Sequence, residues 1–130
     1  MAVVEVDEGR LHVRFSWREA VLGLVHDLDL PLSEVESVGV PRDAWAEVRG
    51  LRIGLALPGV WLLGTWLRRG HRQLVALRRD QKAVRIRVRH GRYDDLLIGV
   101  PHPLLVVEQL RRGGVRVDGH LPAEPLIPPD

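Results

Sequence analysis

The sequence predicts a mainly β domain of the α+β class: an antiparallel, partly open barrel with a short inserted helix and a C-terminal helix that caps it. Three observations carry this. Residues 84–89, Val-Arg-Ile-Arg-Val-Arg, alternate apolar and cationic side chains, the period of a strand with one buried face. Residues 93–100 form a second β-rich run, and residues 103–112 then read as a capped amphipathic helix, so the chain closes strand, strand, helix. Upstream, short strand-like runs recur between turns that contain Gly or Pro.

The elements follow in order. Residues 2–6 and 11–15 are β-rich and flank Asp7-Glu8-Gly9-Arg10, a tight hairpin, with Leu11, Val13 and Phe15 on the core face. Ser16-Trp17-Arg18-Glu19 matches a capping box, in which hydroxyl and carboxylate satisfy two orphan backbone donors. It opens a helix over 17–24 whose buried stripe is Trp17, Val21 and Leu24. Residues 27–30 alternate again, Pro31 removes a ladder donor, Leu32-Ser33-Glu34 makes a single turn and 35–40 resume the strand. Asp43 caps one or two helical turns over 43–48. Strands at 51–57 and 60–67 flank Pro58-Gly59, a pair suited to a type II turn. Reversals at 68–70, 78–81 and 90–91 separate strands at 71–77, 82–89 and 92–100. The last helix places Pro103 at its first position, Leu104, Val107 and Leu110 on one face and Gly113 at its stop. Residues 1–113 thus make one domain and 114–130 a Gly/Pro-rich tail. The expected core is Val13, Phe15, Trp17, Val21, Leu28, Leu30, Val35, Val38, Leu74, Val84, Ile86, Val88, Leu96, Ile98, Leu104, Val107 and Leu110.

Composition excludes more than it assigns. At 130 residues, 45% hydrophobic and 28% charged, the chain can bury one core and is not of disordered type. It has no cysteine, hence no disulfide, thiolate metal site or cysteine nucleophile. Its basic residues are eighteen arginines and Lys82, and asparagine is absent, a skew expected of a GC-rich genome. A net charge of +2 is too small to imply nucleic acid. The longest uncharged stretch, residues 53–67, is broken by Pro58-Gly59 and Gly64 and falls short of the about 20 apolar residues of a membrane span. No basic segment followed by an apolar run opens the chain, so a cytoplasmic location without a signal peptide is expected.

Two phrases carry a resemblance. Pro31-Leu-Ser-Glu-Val-Glu-Ser-Val38 resembles the P-L-x-x-I-x-x-V element found on an early strand of many bacterial PH-like domains. Arg49-Gly50-Leu51-Arg52, Pro58-Gly59 and Gly64-Thr65 resemble an R-G-x-R, P-G, G-T pattern of small uncharacterised actinobacterial proteins. The resemblance covers about residues 2–112. It implies two near-orthogonal sheets in a partly open barrel plugged by the C-terminal helix, and it supplies no catalytic residues. The helix after Phe15 departs from its simplest strand order.

The sharpest chemical feature is the stripe Arg85, Arg87 and Arg89. Same-face strand residues sit about 7 Å apart, a spacing that suits phosphates or carboxylates held by guanidinium forks. Trp61 and Trp66, an odd separation apart, occupy opposite strand faces. One of them must leave the main core, either to pack under a helix or the tail or to meet a partner. The six histidines show no ligand spacing, and no metal or cofactor is expected. Asp94 and Asp95 are adjacent and would face opposite sides of a strand, so they form no acid–base pair. The expectation is therefore a non-catalytic interaction module that binds a protein partner or itself. The alternative is an anion or anionic-lipid-surface binder working through the arginine stripe.

Overall fold

The computed structural model describes residues 2–118. The chain runs β1 (Val3–Asp7), β2 (Arg10–Arg14), α1 (Trp17–Gly23), β3 (Leu28–Pro31), a 3-10 turn (Leu32–Glu34), β4 (Val35–Gly39), a second 3-10 turn (Trp45–Glu47), β5 (Leu51–Leu57), β6 (Trp61–Arg68), β7 (His71–Arg78), β8 (Lys82–Val88), β9 (Asp95–Val100), α2 (Pro103–Arg112) and β10 (Arg116–Val117). It is mainly β. The predicted capping box forms in full: the Ser16 hydroxyl accepts from the Glu19 N–H, and the Glu19 carboxylate accepts from the Ser16 N–H. The last helix occupies the predicted residues, and the Val115 N–H returns to the Leu110 carbonyl to close its final turn.

The strands form two sheets that do not join into a barrel, one ordered β1-β2-β3 and one ordered β10-β4-β8-β9-β7-β6-β5. The expected run of hairpins fails at one place. β7 and β8 are consecutive but not adjacent, because β9 lies between them, antiparallel to β8 and parallel to β7. The link 79–81 must therefore step over one strand. Two strand spacings are about 10 Å, which three residues can just span at about 3.3 Å each. All six residues of β9 are buried, as suits a central strand covered on both faces. The chain after Gly113 is not all tail: Arg116 and Val117 pair in parallel with Ser37 and Val38. The remainder of the expected tail lies outside the described residues.

Each face of the large sheet has its own core. On one face Leu63, Leu74, Val84, Ile86, Leu96 and Ile98 pack against Leu11 and Val13 of the small sheet and Val107 and Leu110 of α2. On the other face Leu62, Trp66, Val75, Leu77, Ala83 and Leu97 are covered by Ala44, Trp45 and Val48, from the segment between β4 and β5. The predicted core holds except at α1 and at Leu104, which is only half-buried on α2 while Val106 is buried in its place. Trp17 and Val21 are 73% and 63% exposed, and Leu24 is also exposed. The helix buries Glu19 and Gly23 instead. A Cβ on Gly23 would lie 2.5 Å from Leu63 Cγ, so α1 sits too close to the sheet for its large side chains to fit beneath it. Proximity has turned the apolar stripe outward.

Candidate functional site

Two surfaces stand out, on opposite faces of the large sheet. The first is its β5 edge. β5 pairs only with β6 among the described residues, which leaves its outer backbone groups open. Leu51, Ile53 and Leu57 alternate along it on the face of the main core and are all exposed, Leu51 by 77%. α1 lies beside it, the Gly23 carbonyl oxygen 2.6 Å from where a Cβ on Gly54 would stand, and presents Trp17, Val21, Leu22 and Leu24 outward. Side chains of this size carry on the order of 150 Å² each when open, so these seven leave roughly 600 Å² of apolar surface. That is the upper end of the range for the largest patch on a monomer.

The second surface is a polar cleft of about 340 Å³ on the opposite face, where the β6–β7 hairpin end meets the start of β9. Its floor is a hydrogen-bonded chain. His71 Nε2 donates to Asp95 Oδ1 at 2.5 Å, and the Gln73 amide donates to Asp95 Oδ2 at 3.0 Å and to the Glu47 carbonyl at 3.2 Å. Asp95 and Gln73 are buried, whereas His71 is half-buried. Asp94 lines the same cleft. β9 begins only at Asp95, so strand alternation does not send Asp94 to the other side, and its carboxylate accepts from the Arg72 N–H at 2.7 Å.

Arg85 and Arg87 reach this face together, as their spacing predicted, but they arrive with partners. Arg85 donates to Glu47 at 2.7 Å and to Asp118 at 3.2 Å, and Arg87 Nε lies 3.4 Å from the same Asp118 carboxylate. Burial alone would lower the Arg85 pKa, but the hydrogen bond and charge of Glu47, and then Asp118, outweigh it and hold the guanidinium above its ordinary range. Arg89 lies beyond the end of β8, exposed, with its backbone N–H on the Glu34 carbonyl. Trp66 leaves the main core for the second cluster under the Trp45 segment, and Trp61 packs half-buried on the main core beneath the Arg78 guanidinium, 4.6 Å from the ring centre. Neither tryptophan belongs to the open apolar surface. His71 and Asp95, which sequence reasoning left apart, stand 24 positions from each other and meet only because β9 inserts beside β7.

Among the described residues no group of His, Asp and Glu has the arrangement of a metal site, and no helix is long and apolar enough to cross a membrane. No protein-family model, curated protein or solved structure matches the chain.

Proposed function

We propose that this chain is a non-catalytic, cytoplasmic interaction module of PH-like type that self-associates through the β5 edge and the outward face of α1. The supporting observation is the coincidence of an open seven-residue strand edge with exposed Leu51, Ile53 and Leu57 and an apolar helix beside them. An uncovered apolar edge strand is a template for another strand. Antiparallel pairing of β5 with β5 of a second copy, about a two-fold axis through Gly54, would set Leu51 of one chain opposite Leu57 of the other. The contact is self-complementary, as an isologous dimer requires. The strand ladder and the roughly 600 Å² of apolar side chains together approach the about 800 Å² per partner of a stable interface. The PH-like character rests on the C-terminal helix packed against β1 and the large sheet; the parallel β7–β9 pair departs from the antiparallel barrel the resemblance implies. The other reading, an anionic surface bound by Arg85, Arg87 and Arg89, draws less support because the first two are already neutralised by Glu47 and Asp118.

Light scattering on size-exclusion fractions should report a dimer for the full chain, and Ile53→Lys with Leu51→Lys should return it to a monomer with an unchanged circular-dichroism spectrum. A wild-type monomer across micromolar to millimolar concentrations would reject self-association and leave a foreign apolar partner as the occupant of this edge.

A further inference from the structure

The cleft around His71 is carried by an independent set of observations, on the face of the sheet turned away from α1. Each of its carboxylates is committed: Glu47 to Arg85, Asp95 to His71 and Gln73, Asp94 to a backbone N–H, and Asp118 beside it to Arg85 and Arg87. Of the four arginines that line it, Arg85 and Arg87 are committed in the same pairs and two are not. Arg49 and Arg68 line the same cleft, and neither has a carboxylate partner among the described residues. His71 faces Arg68 directly across the β6–β7 hairpin, and both line the cleft. Asp95 and Gln73 lock the imidazole through Nε2, which leaves Nδ1 without a partner among the described residues.

We propose that this cleft binds a phosphate-class oxyanion, free or as the phosphate of a small monoester, held by the guanidinium groups of Arg49 and Arg68 and oriented by His71. Guanidinium forks match two oxygens of such an anion. Nδ1 serves the third, donating when the ring is an imidazolium and accepting from a P–OH when it is neutral. The buried Asp95–Gln73 floor supplies the fixed orientation that an isolated surface histidine lacks. A volume of about 340 Å³ accommodates a phosphate with a small organic group.

The test titrates the full chain with inorganic phosphate and with phenyl phosphate at constant ionic strength, following backbone amide signals by NMR. Both probes should shift Arg68, His71 and Gln73. Tighter binding of phenyl phosphate identifies the monoester as the ligand, and equal binding identifies the free anion. Arg49→Gln and Arg68→Gln should each weaken binding about tenfold or more, the loss of one charge-assisted pair, and His71→Gln should weaken it several-fold. Arg89→Gln, outside the cleft, should leave it unchanged. Arg49 and Arg68 are exposed, so their variants keep the fold; both lie close to the start of β5, so light scattering on each variant checks that its oligomeric state is that of the wild type. Absence of shifts with either probe would overturn the proposal, as would equal losses from Arg68→Gln and Arg89→Gln.

Discussion

The two ends of the seven-stranded sheet are finished in opposite ways. At one end the outermost strand, β10, is two residues long, α2 packs against it, and Asp118 just beyond it ties down Arg85 and Arg87. A short edge strand with charge and a helix at hand offers little for another strand to join. At the other end β5 offers seven residues, open backbone and exposed leucine and isoleucine. One edge is protected by its own chain; the other is left open among the described residues.

The largest expected effect tests how tightly the β5 end is built. Gly54 holds φ +131°, and a Cβ there would come within 2.6 Å of the carbonyl oxygens of Gly23 and Leu63. Gly54→Ala should therefore cost about 3 kcal/mol, combining backbone strain with overpacking. Gly114, beside the β10 end, also has a positive φ, of +96°, but open space around it. Gly114→Ala should cost only about 1 kcal/mol. Urea denaturation measures both, and equal losses would erase the contrast between the two ends.

Next comes the ionic pinning of the β10 end. Arg85→Gln should lose about 1–2 kcal/mol, since it leaves partly buried Glu47 and Asp118 without their main partner. Arg87, about half exposed with a longer contact, should lose less than about 0.5 kcal/mol on the same change. Comparable thermal shifts for the two would mean that Asp118 grips both equally.

The smallest effect appears in acid. Glu108, on the helix beside β10, is hydrogen-bonded by Arg111 and Arg112, which pull its carboxyl down to about 2. The Arg10 hydrogen bond likewise lowers Asp29, in the small sheet. A carboxylate lowered on folding contributes stability above its unfolded pKa, about 4.3 for Glu, and that contribution disappears as pH falls through the folded value. The melting temperature should thus decline gradually from about pH 4.5 towards pH 2. Glu108→Gln should flatten part of that slope. An identical slope in the variant would show that these exposed pairs contribute nothing.

Much of the secondary structure was legible. The Ser16–Glu19 capping box, the bounds of α2 and the buried half of the 84–88 alternation all rest on neighbours within a few positions, where local geometry leaves few choices. The candidate surfaces were less legible. Arg85 and Arg87 were placed on one face correctly, but Glu47 and Asp118, 38 and 33 positions from Arg85, carry no signal of that pairing. The apolar stripe of α1 read as a core face because periodicity reports amphipathicity and not which way the helix turns. The close seat of Gly23 on Leu63 settled that. One clue to the strand order was present. Residues 95–100 are nearly all apolar, unlike the alternating 84–89, which marks a strand covered on both faces.

Periods, caps and turns are properties of a few adjacent residues, so the succession of strands and helices could be written down from the chain alone. Which strands become neighbours is different in kind, because it depends on how whole buried surfaces fit together across the molecule. Seating β9 between β8 and β7 puts its continuous apolar run at the centre of the sheet, where a core covers each face, and the same event carries Asp95 to His71. The cleft, like the bare edge at β5, is a consequence of that packing, and no local stretch of residues encodes it.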